Sequence, residues 1–247
     1  MDEYTASTYG ERIADRYDDW YASRAFGGEV ATTIAFLREL AGDGAALELG
    51  IGTGRLALPL RAAGIEIHGI DASSSMIARL RDKPGGDEIP VTTADFRSFD
   101  LGRRFGLVYV VFNTFFVLLT QDDQVACFAA IARHLDEGGA FAMEAFVPDL
   151  ARFDRGQRVS AVDVGMDEVR LEVSRHDVVA QRTDSQHVVI GGGGVRLFPV
   201  CIRYAYPSEL DLMARLAGLR LRERWADWDR SAFTAEAQKH VSVWERA

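Results

Sequence analysis

Between residues 45 and 146 the sequence alternates short apolar runs with stretches of helical periodicity, and this alternation constrains the fold most. The runs fall at 45–49, 65–70, 89–93, 105–111 and 140–146. Each is almost continuously apolar, as a strand reads when its sheet is covered on both faces. In 121–135, Val125, Phe128, Ala132 and Leu135 recur at steps of three and four, behind Asp122 and Asp123. That is an amphipathic helix with its acids at the positive end of the dipole. Strands separated by helices predict an α/β fold, doubly wound around a parallel sheet.

Beyond Phe146 the pattern changes. Val169, Leu171 and Val173 alternate with Arg170, Glu172 and Ser174, the period of a half-buried strand. Residues 186–190 and 195–206 read as two more strands, joined by four glycines at 191–194. No helix start follows those glycines, so they read as a hairpin turn rather than a phosphate cradle. Residues 148–206 are therefore expected to form an antiparallel β insert in a core made of 1–147 and 207–247. Pro207 and Ser208 open a helix through Leu216, with Gly218 as its stop. Residues 219–228 and 240–244 read as two last strands.

The net charge of −9 leaves no basic face for gripping phosphate backbones. Cys127 and Cys201, both in apolar stretches, read as buried reduced thiols in a cytoplasmic protein. The acidic, polar start of the chain is unlike a signal peptide, and the oily run at 107–119 is too short to span a bilayer. The expected partner is a small molecule, with neither nucleic acid nor membrane, for a chain that is a monomer or homodimer. No spacing of histidines or cysteines marks a metal site.

The first apolar run ends in Glu48-Leu49-Gly50-Ile51-Gly52-Thr53-Gly54-Arg55. Glycines at such a turn let the backbone pass close beneath a ligand. A dinucleotide fingerprint wants a third glycine where Arg55 stands. Glu48 would repel a pyrophosphate and attract a ligand with an ammonium group. Asp71 ends the second run 21 residues after Gly50, near the ~20 expected of a ribose-binding carboxylate; it also reads as an N-cap for the helix near Ser73. Asp95, followed by Phe96, ends the third and suits an adenine amino group beside a ring.

These segments, with Ile70-Asp71-Ala72-Ser73, Thr93-Ala94-Asp95-Phe96 and Phe105-Gly106-Leu107-Val108-Tyr109, resemble the class I S-adenosylmethionine-dependent methyltransferases over about 9–146 and 207–246. The resemblance implies S-adenosyl-L-methionine as cofactor and a Rossmann-like seven-stranded sheet whose last strand is antiparallel. It implies the glycine turn beneath the methionine part, Asp71 on the ribose, and Asp95 and Phe96 on the adenine. Thr53, Arg55, Ala72, Met76, Ala94, Phe112 and Asn113 are expected to complete the cofactor site. The segment from Tyr9 to Asp18 looks like the leading helix of small-molecule members, where tyrosines close over the cofactor. One helical face would present Tyr9, Tyr17 and Tyr21, the first two to the cofactor and Tyr21 to the acceptor.

On the acceptor side, Phe115, Phe146, Tyr204 and Tyr206 are expected to line the pocket. Glu144, at the carboxyl edge of the fifth run, and His187 are the candidate catalytic residues, although Glu144 could equally pair with an arginine such as Arg152. His68, within a strand, and His134, in the turn before Gly138, read as structural. His176, His187 and His240 read as solvent-facing side chains, each able to act as a base. Nucleic-acid amine methylation is disfavoured because Asn113-Thr114-Phe115-Phe116 lacks the prolines such enzymes carry there. The expected activity is in-line methyl transfer to N or O of a small natural-product acceptor. A cofactor-binding relative with a non-methylating reaction, such as cyclisation, is the alternative, ahead of a nucleic-acid or protein methyltransferase.

Overall fold

The computed structural model describes residues 3–22 and 27–247. In chain order these form α1 (Thr8–Ile13), α2 (Tyr17–Ala22), α3 (Gly27–Ala41), β1 (Ala46–Leu49), α4 (Ala57–Ala62), β2 (Ile67–Asp71), α5 (Ser74–Arg81), β3 (Val91–Thr93) and β4 (Phe105–Val110). Then come α6 (Gln121–His134), β5 (Leu135–Phe146), β6 (Gln157–Val164), β7 (Glu168–Asp177), β8 (Arg182–Gly191), β9 (Gly194–Arg203), α7 (Pro207–Leu216), β10 (Leu219–Trp225) and β11 (Lys239–Arg246). Among the described residues no helix is long and apolar enough to cross a membrane.

A seven-stranded sheet runs in the order β10-β11-β5-β4-β1-β2-β3, with β11 antiparallel to both its neighbours. The strand order turns back between β1 and β4, the place where open α/β sheets bind ligands beyond their carboxyl ends. Side chains alternate across the pleat, so Phe141, Met143 and Ala145 of β5 face α6 and α7. Ala140 and Ala142 enter the second core with Phe36 and Leu37 of α3. Both cysteines are buried, and neither forms a disulfide among the described residues.

The insert is a four-stranded antiparallel sheet in the order β6-β7-β8-β9. Its β6 escaped the sequence pattern because its residues alternate only between exposed and half-buried. Register places Arg158, Ser174, Ser185 and Val200 in one row, and the next row is Val159, Val173, Gln186 and Pro199. Rows of the first parity, with His187 and Glu172, face inward. Those of the second expose Val159, Val164, Val173, Ile190, Val195 and Leu197.

A buried polar junction fixes the insert to the core. The Arg203 guanidinium donates to Glu209 at 2.7 Å, Gln124 at 2.6 Å and Gln181 at 3.0 Å. Gln124 in turn donates to the Arg203 carbonyl at 2.8 Å. Burial alone would raise the Glu209 carboxyl, but hydrogen bonds from Arg203, Gln181 and Gln121 hold it below its usual range. Its stabilising contribution is therefore full above the ordinary carboxylate range and fades as pH falls through the lowered value. Glu209→Ala leaves a buried guanidinium without its counter-charge and should cost about 3 kcal/mol in urea unfolding at neutral pH. The loss should shrink in acid. A loss below about 1 kcal/mol, the range of exposed pairs, would overturn this role for the junction.

Candidate active site

A cavity of about 1350 Å³ opens at the carboxyl ends of β1, β2, β3 and β4 and continues to the inner face of the insert. Its floor is the turn after β1. There Gly50 and Ile51 donate their amides to the Ile70 carbonyl at 2.8 and 3.0 Å, tying the turn to β2. Gly50 has φ of +72°, and a Cβ there would come within 2.4 Å of Thr114 Cγ2, so only glycine fits. Asp71 accepts from the Gly52 amide at 2.7 Å through one oxygen and from the Ser73 amide at 2.8 Å through the other. Burial raises its carboxyl despite those amides. Each oxygen retains a lone pair for a ligand.

Glu48 is 4% exposed, and its carboxylate accepts from the Tyr109 hydroxyl at 2.8 Å. Burial pushes it up to about 8, against the pull of Tyr109 and Arg55. Asp95 accepts from the Arg97 amide at 2.9 Å, and Phe96 lies beside it at the edge of the core. Adjacent strands β1, β2 and β3 thus bring three carboxylates to one cavity wall.

The leading segment is two short helices broken at residues 14–16, which corrects the expectation of one helix. The tyrosines nonetheless converge. Tyr9 and Tyr21 share a hydrogen bond of 3.0 Å, and the Tyr17 and Tyr21 rings lie 4.7 Å apart. Burial raises the Tyr9 and Tyr17 hydroxyls well above their usual range, so both are neutral. Three groups that sequence periodicity did not reveal hold this segment down. Glu11 accepts from the Ser73 and Ser74 hydroxyls at 2.9 and 3.2 Å and from Ser75. Asp18 accepts from the Thr53 hydroxyl at 2.6 Å and pairs with Lys83 at 2.7 Å. Gly10 sits so close to α5 that a Cβ would lie 2.6 Å from Ser73 Cβ.

At the end of β4, Phe112 and Asn113 both adopt positive φ, +58° and +64°. Two successive non-glycine residues there store backbone strain, of the order of 1–3 kcal/mol each, as functional turns do. The Asn113 side chain accepts from the Phe146 amide at 2.7 Å and so joins the ends of β4 and β5. Phe112 meets Tyr21 edge-on at 4.9 Å, with Arg55 over its ring at 5.3 Å.

Of the expected cofactor residues, Tyr9, Tyr17, Glu48, Gly50, Gly52, Thr53, Arg55, Asp71, Ala72, Met76, Asp95, Phe96, Phe112 and Asn113 line this cavity. Gly54 and Ala94 do not. Gly54 turns the chain against Leu80, and Ala94 donates its amide to the Asp71 carbonyl at 3.0 Å. Tyr21, Phe146, Tyr204 and His187 also reach the cavity.

Three acceptor-side expectations are corrected. Glu144 shares the β5 face of Ala140 and Ala142, away from the cavity, and accepts from the Trp228 indole. Its suggested partner Arg152 instead pairs with Glu172 at 3.6 Å. Phe115 is fully buried against Phe128 at 5.3 Å, because the turn at Thr114–Val117 points its neighbours Thr114 and Val117 outward to the cavity instead. Tyr206 precedes α7, 38% exposed and outside the cavity.

The histidines also differ from expectation. His176 is half-buried, stacked on Phe153 at 4.5 Å and bonded to the Tyr204 hydroxyl at 2.8 Å. His240 is fully buried, bonded to Ser242 at 2.8 Å and pushed down to about 3 by desolvation. His134 ends α6 rather than lying in a turn, and accepts from the Leu101 amide at 3.0 Å. The cavity also takes in residues 235–238, Arg152 and Arg158, for which the sequence offered no motif.

The family described as methyltransferase domain matches residues 46–139. A dTDP-4-amino-2,3,4,6-tetradeoxy-D-glucose N,N-dimethyltransferase of Saccharopolyspora spinosa is 30% identical over 190 residues, 74% of each chain. A cypemycin N-terminal methyltransferase of a Streptomyces species is 28% identical over 243 residues, 97% of this chain and 98% of that protein. The solved structure of the CcbJ methyltransferase from Streptomyces caelestis is 41% identical, covers 99% of this chain and 100% of its own, and superposes with a TM-score of 0.92. The chain belongs to the S-adenosylmethionine-dependent methyltransferases.

The donor set in the cavity fits that cofactor. A buried acid, a carboxylate with spare lone pairs and an acid beside a ring match an ammonium, a diol and an aminopurine. When bound, the cofactor supplies a methyl group on a sulfonium, open to in-line displacement by a lone pair. The methyltransferase without ligand keeps Glu48 protonated at neutral pH, because its carboxyl titrates at about 8. A raised acid stabilises the fold below the ordinary carboxylate range, and that contribution is lost as pH rises through 8. Glu48→Gln should therefore gain in melting temperature relative to the wild type between pH 5 and pH 9, measured without cofactor. Parallel curves for the two proteins would refute a neutral Glu48.

Proposed function

We propose that this methyltransferase transfers a methyl group to a nitrogen atom of a small-molecule amine in natural-product biosynthesis. The observation that carries this reading is the charge of the cavity wall, with six carboxylates besides the neutral Glu48 against four guanidiniums among the described residues. Such a wall attracts a protonated amine and concentrates it near the site. Two relatives named above act, by their names, on nitrogen: a peptide N-terminus and an amino sugar. In this reading Glu48 faces the cofactor's ammonium, Asp71 its ribose, and Asp95 with Phe96 its adenine. The hydroxyls of Tyr9, Tyr17 and Tyr21 orient the amine and exclude water. The amine attacks through its lone pair, so the ammonium that the wall attracts first gives up a proton, and His187 is the group on the wall that takes it in this reading. The insert, residues 148–206, closes the acceptor side, with Tyr204 and Phe146 on its wall.

Incubation with S-adenosylmethionine and a panel of primary and secondary amines, followed by mass spectrometry, tests this. N-methylated product together with S-adenosylhomocysteine is expected. Conversion of alcohols alone, or of no acceptor at all, would refute it. Asp71→Ala should lose about 1.5–3 kcal/mol of cofactor affinity in calorimetry, the range of a charged hydrogen bond. Unchanged affinity in the folded variant would refute its role.

The outer face of the insert meets a second copy of the chain in this reading. Val164 and Val195 are 71% and 64% exposed there, and the face measures roughly 20 by 30 Å of pleated sheet. Its area is of the order of the ~800 Å² per partner in a standard interface. A dimer is expected in sedimentation, and Val164→Asp with Val195→Asp should convert it to monomer. A monomeric wild type at about 50 µM, a concentration that populates a micromolar dimer, would exclude this face as an interface.

A further inference from the structure

The charged side chains around the cavity are matched among the described residues, with one exception. The carboxylates accept from backbone amides, hydroxyls or guanidiniums; Arg97 reaches Asp95 at 3.6 Å, Arg152 reaches Glu172 at 3.6 Å, and Arg55 lies over the Phe112 ring. Arg158 has no partner among the described residues, although it lines the cavity and is half-buried. Its row on the sheet offers it none: Ser174 and Ser185 are bonded to each other at 2.9 Å, and the row ends in Val200. A guanidinium stays charged at any working pH, and withdrawing it from water without a counter-charge is unfavourable. It also presents a planar fork suited to two oxygens of one anion.

We propose that Arg158 is the specificity residue for an acceptor that carries an anionic oxygen group, a carboxylate or a phosphate, at the end remote from its amine. This rests on the amine reading given above. The acidic wall receives the amine, and Arg158, the one cation of the cavity wall left uncommitted among the described residues, receives the opposite end. Such an acceptor is dipolar. Glu172, on the next inward row, does not oppose this, since Arg152 and the Ser174 hydroxyl already engage it.

The test uses the full-length protein with S-adenosylhomocysteine bound, titrated by calorimetry with the series from 4-aminobutanoate to 8-aminooctanoate. Each length is compared with its primary amide, its aminoalkyl phosphate and the matching hydroxy acid. At the best-fitting length the anion should bind at least about tenfold tighter than the amide, as one charged hydrogen bond implies. Arg158→Gln should abolish that ratio, and Arg158→Lys should retain part of it. S-adenosylhomocysteine affinity should be unchanged in both, which establishes that the variants are folded. The carboxylate and phosphate arms identify which anion is preferred. Absence of an anion preference in the wild type, including no binding by any member, overturns the proposal. So does a preference that survives Arg158→Gln. The hydroxy acids separate this from the amine reading: if they bind as well as the amino acids while Arg158→Gln still removes the anion preference, the Arg158 assignment stands and the amine reading fails.

Discussion

The site depends on the carboxylate of Asp71. Its two oxygens hold the Gly52 amide and the Ser73 amide, so the glycine turn after β1 and the entrance to α5 are fixed to the end of β2 by one side chain. The N-terminal helices are then fastened to those same two places, Asp18 to Thr53 and Glu11 to the serines at 73–75. Charge-assisted hydrogen bonds of this kind are short and directional, so they set geometry as well as energy. The floor of the cavity and its cover are therefore referenced to a common point. A ligand that engages the free lone pairs of Asp71 is sensed by both.

The parallel core was legible because burial on both faces leaves a sequence signature that needs no knowledge of partners. The five apolar runs match β1 to β5, and the helix from Gln121 ends one residue before its expected limit. The insert was legible only in part. Strand β7 shows period two, but β6 has little buried surface to pattern it. The break between α1 and α2 was invisible for a related reason. Residues 14–16 carry no glycine or proline, and the interruption follows from α1 docking on α5 while Trp20 of α2 packs on Phe198 of the insert at 4.9 Å.

Site residues divide along the same line. The acids Glu48, Asp71 and Asp95 were found because each lies within two residues of a strand's carboxyl end and the sheet order brings those ends together. The expectation for Glu144 failed because the pleat decides which face a side chain takes. Its neighbours Met143 and Ala145 point into one core, which obliges Glu144 to point the other way, toward Trp228. His240 failed through burial beneath Phe233 at 6.2 Å, in a strand too short in sequence to show which face it turns inward. Arg158 carries no motif at all. Its significance appears only when every neighbouring charge has been assigned to a partner.

With the insert as the proposed acceptor wall, one such fold can serve different acceptors. Its strands pair in register, so inward and outward rows alternate without exception until the shift between Ala161 and Asp163. The same pleat that exposes valines outside forces serine, histidine, glutamate and arginine into the cavity. Substitution on an inward row changes the acceptor wall yet touches neither Asp71 nor the glycine turn, which lie on a different sheet. The load between the two sheets passes through Arg203, Glu209 and Gln124, outside the cavity. In the proposed reading acceptor choice and cofactor binding are thereby separated in space, and the inner rows are free to vary at little cost to the fold. A residue such as Arg158 can arise there without disturbing methyl transfer, because its only structural obligation is the backbone ladder of β6.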